Sequence, residues 1–99
     1  DAKGEVREKR TKTPLEKIEL SQLQLKAIII APSGNKALVE ETTGKGYIIR
    51  RGTYIGRNDG KVIKISKDTV VVEELTEDHE GKMIAREKEI KLPKHPGEE

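Results

Sequence analysis

The chain has 99 residues, 32% of them hydrophobic and 38% charged, with a mean hydropathy of -0.73. That composition suits one small domain with polar ends, and no apolar run approaches the roughly 20 residues of a membrane span. Twenty Lys and Arg against 18 Asp and Glu leave a net charge of +2, which demands no polyanionic partner, and the lack of Cys excludes disulfides, thiolate metal sites and thiol redox chemistry.

Tyr47 and Tyr54 are the only aromatic residues, so a core must be assembled from Ile, Val and Leu, and so small a domain is expected to be moderately stable at best. Residues 1–13 are almost wholly polar, with Ala2 and Val6 the only apolar side chains. Burial there cannot offset ordering entropy, and the segment reads as a flexible polar linker. Because the first residue is Asp1, the chain is expected to be a fragment or a processed product.

Thr13-Pro14 fits the cap and first position of a short helix, with Leu15 and Ile18 three apart on one face. Near Leu20 to Gln22 the apolar period changes from helical spacing to two, and Leu23 and Leu25 enter a strand. Residues 25–31 continue it, but Ile28, Ile29 and Ile30 put apolar groups on both faces. Such a strand is either central in a sandwich or has one face waiting for a partner. Residues 32–35 read as a turn, 36–41 as a second strand and 42–46 as a second turn.

The stretch 46–65 organises the rest. Two β-branched runs, 47–50 and 61–66, flank a centre in which Gly52, Gly56 and Gly60 recur with Asn58-Asp59 beside the last, residues that turn a chain cheaply through positive φ. This predicts strand, tight corner and strand in a hairpin-like unit, with Tyr54 and Ile55 dipping into the core between two glycines. Residues 69–75 form the next strand. A last one over 82–92 carries Met83 and Ala85 and then Ile90 and Leu92, a rhythm that implies a bulge or slip in its middle. Six or seven short strands at intervals of about 8 to 12 residues predict an all-β domain over 14–93, a small β-sandwich or partly open barrel. The tail 94–99 is expected to fray.

The residues assemble no catalytic, cofactor or metal set. His79 lies in a charged turn and His95 in the tail, Ser21, Ser33 and Ser66 have no His beside them, and Gly44-Lys45-Gly46 is too short for a phosphate loop. Glu73, Glu74, Glu77, Asp78 and Glu80 lack the spacing of a calcium loop and read as a solvated sheet edge. An enzyme is therefore not expected. Lys45, Arg50, Arg51, Arg57, Lys61 and Lys64 leave one alternative, a small β-barrel that grips nucleic acid through the patch around Arg50, Arg51 and Arg57. The shortage of aromatic stacking platforms opposes it.

The runs Thr13-Pro14-Leu15-Glu16-Lys17-Ile18-Glu19-Leu20-Ser21-Gln22-Leu23-Gln24-Leu25, Ala37-Leu38-Val39-Glu40, Gly46-Tyr47-Ile48-Ile49-Arg50-Arg51-Gly52-Thr53-Tyr54-Ile55-Gly56 and Asn58-Asp59-Gly60-Lys61-Val62 resemble the PilP family, in the periplasmic domain of this inner-membrane lipoprotein of type IV pilus assembly. The likeness runs in order over residues 14–92. It implies a compact β-sandwich tethered to the inner membrane by a lipidated N-terminal Cys and a long linker, an anchor absent from this sequence. It also implies a non-enzymatic connector that associates with PilN and PilO and touches the periplasmic part of the outer-membrane secretin PilQ. A similar domain occurs in the type II secretion protein GspC. Within that expectation, the edge of strand 25–30 offers strand addition through Leu25, Lys26, Ile28 and Ile30, and Lys26, Arg50 and Arg51 would steer an acidic partner.

Overall fold

The computed structural model describes residues 12–93, so the readings of the linker before residue 12 and of the tail 94–99 lie outside the described residues. Two 3-10 turns, Pro14–Lys17 and Leu20–Gln22, precede seven strands: β1 (Leu23–Ile29), β2 (Lys36–Glu41), β3 (Gly46–Arg50), β4 (Tyr54–Ile55), β5 (Gly60–Ile65), β6 (Thr69–Glu77) and β7 (Met83–Lys91). They form two antiparallel sheets, β1-β2-β3 and β4-β5-β6-β7. β3 approaches β5 and β1 approaches β7, but no ladder joins the sheets, so the all-β domain stops short of a closed barrel.

Alternation places the core. In β2, Ala37 and Val39 are fully buried while Leu38 between them is not, and in β6 Val70 and Val72 are buried on the same side. Ile49, Ile55 and Val62 complete the centre. Each fully buried aliphatic side chain contributes about 1.5 to 3 kcal/mol over an exposed one, so a core without Phe or Trp is sufficient.

β1 departs from strict alternation for a definite reason. Leu25 pairs with Val39 and Ala27 with Leu38, which leaves Lys26 as the extra residue of a bulge. A bulge shifts the parity of the strand. Leu23 and Leu25 therefore face the core before it and Ile28 after it, while Ala27 and Ile29 face outward. A second bulge, at Ile63, does the same in β5, where Val62 and Ile65 both reach the core.

The stretch 46–65 is not one hairpin of β3 with β5, although β4 and β5 within it do pair as an antiparallel hairpin, Tyr54 opposite Lys61 and Ile55 opposite Gly60. β3 belongs to one sheet and β5 to the other, so the segment between them is the crossover that joins the two. It is held by Gly52 N–H donating to Val62 O (2.8 Å) and Val62 N–H donating to Thr53 O (2.8 Å). Within it Ile55 is fully buried, whereas Tyr54 is half-buried and outside the core cluster. Gly52 and Gly56 have φ of +95° and +83°, but at the third corner it is Asp59, at +55°, that takes the left-handed conformation. Gly60 is required for space instead, because a Cβ there would run into the Ile55 carbonyl oxygen and lie 3.1 Å from Val72 Cγ1.

Two further expectations are corrected. The β6–β7 ladder runs from Thr69 opposite Lys91 to Glu77 opposite Met83 without interruption, so β7 has no bulge. Met83 and Ala85 simply lie on one face and Ile84 and Ile90 on the other. Nor is the acidic cluster wholly solvated, since β6 is an inner strand and Glu74 is only 2% exposed.

The first 3-10 turn fastens the entry of the chain across β4. Glu16 carboxylate accepts from Thr13 N–H (2.9 Å) and Thr13 Oγ1 (3.1 Å), which closes the turn, and Leu15 O accepts from Gly56 N–H (3.2 Å). Leu15 is thereby held in the core, with Ile18 and Leu20 packed against it.

Candidate functional site

The outer face of the β1-β2-β3 sheet carries Ile29 and Ile48, two of the four large apolar side chains exposed among the described residues. Residues opposite one another in antiparallel strands share a face, so Ala27, Leu38 and Ile48 form one row and Ile29, Lys36 and Arg50 the next. Ile29 is 49% exposed and Ile48 55%, and Ile30, just beyond β1, is 59% exposed. The inward neighbours Ala37, Val39 and Ile49 are fully buried, so the same strands that close the core present an aliphatic strip outward. β1 is also an outer strand of this sheet, paired among the described residues with β2 only.

At the end of this face lies a cleft of about 490 Å³. The turn after β1 supplies Ser33, Gly34 and Asn35, the end of β3 supplies Arg50 and Arg51, and β5 supplies Ile63, Lys64 and Ile65. Asn35 fixes the wall, since its Nδ2 donates to Ile65 O (2.7 Å) and its Oδ1 accepts from Ala31 N–H (3.4 Å). A second cleft, of about 450 Å³, lies between the first 3-10 turn and β3 with β4; Pro14, Leu15, Tyr47, Ile48 and Tyr54 line it. Neither concavity is legible in the sequence, because each is assembled from segments that only the crossover brings together.

The six residues expected to touch a partner divide. Leu25 is 1% exposed and Ile28 is half-buried against the core, so their side chains belong to the interior. Lys26 sits exposed in the β1 bulge, 3.9 Å from Glu40 Oε1, with its Nζ donating to Gln24 Oε1 (3.5 Å). Ile30, Arg50 and Arg51 are exposed, and the two arginines lie together at the cleft. Ile29 and Ile48 carry the outer strip and are not among the six; for Ile29 the reason is that the parity shift at Lys26 is invisible in a run of three isoleucines.

The six basic residues split: Arg50, Arg51 and Lys64 line the first cleft, and Lys45, Arg57 and Lys61 lie outside it. Arg57 is 3.9 Å from Glu19 beside the second 3-10 turn, away from Arg50 and Arg51 in sequence and in sheet. Lys45 Nζ stands 5.3 Å over the Tyr47 ring and Lys61 Nζ 6.0 Å over Tyr54, so each aromatic face is covered by the chain's own lysine. Tyr47 OH donates to Glu41 Oε2 (2.9 Å), and that bond, with desolvation and the carboxylate charge, raises the phenol above its ordinary value of 10.0. Among the described residues no group of three or more His, Cys, Asp or Glu is placed to hold a metal ion. These surfaces are suited to protein docking, with an aliphatic strip bordered by charge.

Known proteins point the same way. The family of the pilus assembly protein PilP matches residues 2–92. The chain is 34% identical over 85 residues to the type IV pilus inner membrane component PilP of Pseudomonas aeruginosa, covering 86% of this chain and 48% of that protein, so it spans about half of that relative's length. The solution structure of Pseudomonas aeruginosa PilP superimposes with a TM-score of 0.77 at 33% identity, covering 93% of this chain and 82% of that one. A domain of the PilP pilot protein from Neisseria meningitidis gives 0.68 at 30% identity, covering 92% and 78%. With a matched family over nearly the whole chain and the same fold in its solved members, this chain belongs to the PilP pilus assembly protein family.

Proposed function

We propose that this chain is a non-enzymatic periplasmic scaffold of type IV pilus biogenesis that links the inner-membrane PilN and PilO assembly to the outer-membrane secretin PilQ. Its relatives are described as an inner membrane component and a lipoprotein of type IV pilus biogenesis, which supports a periplasmic position and a tether to the inner membrane in the whole protein. The observation that carries the reading is the outward aliphatic strip of Ile29, Leu38 and Ile48 on a three-stranded sheet whose first strand has, among the described residues, one unpaired edge. An exposed apolar strip beside cations is the composition of a protein interface, and a free strand edge adds main-chain hydrogen bonds. Arg57 lies beside Glu19 and not in the cleft of Arg50 and Arg51, and neither tyrosine lines that cleft, which speaks against the nucleic-acid alternative.

The test is a pull-down over a range of salt. The chain is offered a periplasmic secretin fragment, the periplasmic parts of PilN and PilO, and a mixed DNA and RNA pool. Capture of the secretin fragment and of PilN or PilO, with nucleic acid ignored at low salt, supports the connector. Nucleic-acid binding that falls steeply with salt and no pilus protein captured would overturn it.

A further inference from the structure

We propose that the cleft between the β1–β2 turn, the end of β3 and β5 is a carboxylate-binding groove that takes an acidic segment of a partner protein. The proposal rests on the reading of the chain as a docking scaffold, and it supplies the partner chemistry that the aliphatic strip leaves open.

Three observations carry it. The first is charge: Arg50, Arg51 and Lys64 converge on one concavity, and among the described residues no ion pair joins any of the three to a carboxylate. Five other cations each have a carboxylate within 4 Å, Lys12 beside Asp59, Lys26 beside Glu40, Arg57 beside Glu19, Lys88 beside Glu74 and Lys91 beside Glu89; what sets Arg50, Arg51 and Lys64 apart is that they share one concavity. Like charges held together without a counter-charge repel one another, and an external anion relieves that repulsion.

The second is construction. Asn35 ties the turn to β5 through Ile65 O, and the Ile63 bulge breaks alternation so that three consecutive residues, Ile63, Lys64 and Ile65, line the cleft. Arg50 and Arg51 are placed where β3 stops and the crossover begins, and that backbone is pinned by Thr53 N–H donating to Arg50 O (3.0 Å) and Arg50 N–H donating to Thr53 Oγ1 (3.0 Å). A planar guanidinium carried on this backbone can match a carboxylate through two parallel hydrogen bonds.

The third is what adjoins it. Arg50 closes the row that contains Ile29 and Lys36, beside the row of Ala27, Leu38 and Ile48, so the cationic cleft continues directly into the aliphatic strip. A polypeptide with an apolar side chain followed by carboxylates fits both together. A nucleic acid does not, because neither tyrosine lines this cleft and a stacking platform is missing.

The probe is a short synthetic peptide with a Leu followed by a run of Asp and Glu, titrated into this chain while backbone amide resonances are followed. Its Asn and Gln counterpart, inorganic phosphate and a single-stranded oligonucleotide are run beside it. The expected result is a salt-sensitive shift of the amides of residues 33–35, 50–51 and 63–65 by the acidic peptide. Arg51→Glu with Lys64→Glu should weaken binding about tenfold or more, and Arg51→Gln with Lys64→Gln by less. All four changes are at exposed positions, and the amide spectrum reports folding directly. Shifts elsewhere, equal binding of the amide peptide, tighter binding of phosphate or oligonucleotide, or undiminished binding by the reversed variant would overturn the groove. If that variant still captures every pilus protein as the parent does, the groove falls and the scaffold stands. If the parent captures none while the acidic peptide binds the groove, the scaffold reading falls and the groove stands.

Discussion

Glu74 Oε1 lies 3.7 Å from Lys88 Nζ, across the β6–β7 ladder, and no hydrogen bond reaches that oxygen. The carboxylate is almost wholly buried, with Asn58 Nδ2 donating to its other oxygen at 3.4 Å, whereas the lysine remains largely in water. Removing only the cation therefore leaves a buried charge with its main compensation gone, which is costlier than removing both. Lys88→Met should lower stability by about 1 to 2 kcal/mol, discounted for the exposure of the lysine. Combining it with Glu74→Met should recover most of the loss. Urea unfolding of the two variants decides the matter, and a silent Lys88→Met would show that Lys88 contributes nothing to holding Glu74.

Tyr47 gives the chain an alkaline dependence. Its hydroxyl donates to Glu41, so the protonated phenol is favoured in the folded state and its folded pKa lies above the unfolded value of 10.0. A raised folded value means that the stabilisation is fully present below the unfolded pKa and is lost as pH rises through the folded one. Tyr47→Phe should therefore be less stable than the parent at pH near 7, with the two curves converging in strong alkali. Denaturation midpoints across that range test it, and a constant gap would refute it.

The three crossover glycines should rank by mechanism. Gly52, with φ +95° and nothing within 4 Å of a Cβ, carries backbone strain alone. At Gly56, φ is +83° and a Cβ would also meet Leu20 Cγ at 3.1 Å. Gly60 has no positive φ, but its Cβ would collide with backbone, which cannot swing away as a side chain can. Alanine should cost about 1 kcal/mol at Gly52 and roughly 2 to 3 kcal/mol at Gly56. At Gly60 it should cost most. Thermal melts of the three variants read the order, and equal shifts would show that the crossover relaxes freely.

That ranking also separates what residue order carries from what it does not. Residue type marks every long strand, because β-branched runs between Gly, Pro and Asn clusters have few other uses, and the inward faces of β2 and β6 follow the alternation of their side chains. Pairing is less legible. The stretch 46–65 reads as a hairpin since each flanking run is a good strand, and nothing local says that β5 will bond to β4 and β6 rather than to β3. The bulges at Lys26 and Ile63 are silent for a similar reason: a parity shift is a property of two paired strands. The shift at Lys26 turns the expected partner contact Ile28 inward and brings Ile29 outward, while Leu25 already faces the core before it. Arg50 and Arg51 stand out in the sequence as charges, while Lys64 and the turn that completes their cleft become meaningful only with the crossover in place.

Mutations on β1 and β3 should separate folding from docking. Ile28 pairs with Ala37 on the inner side and packs against the core, so Ile28→Asp places a carboxylate against aliphatic surface with no partner for it. A loss of about 2 to 4 kcal/mol is expected, and any binding defect in that variant would be uninformative about contact. Ile29 and Ile48 point the other way and are about half exposed, so Ile29→Asp and Ile48→Asp should alter stability by only about 0.5 kcal/mol. A carboxylate in the middle of an aliphatic docking strip must be desolvated on binding, so each should weaken capture of a pilus partner about tenfold or more. The comparison needs thermal melts and pull-downs on the same preparations. Folded Ile29→Asp and Ile48→Asp variants that capture every partner as the parent does would move the docking surface off this face.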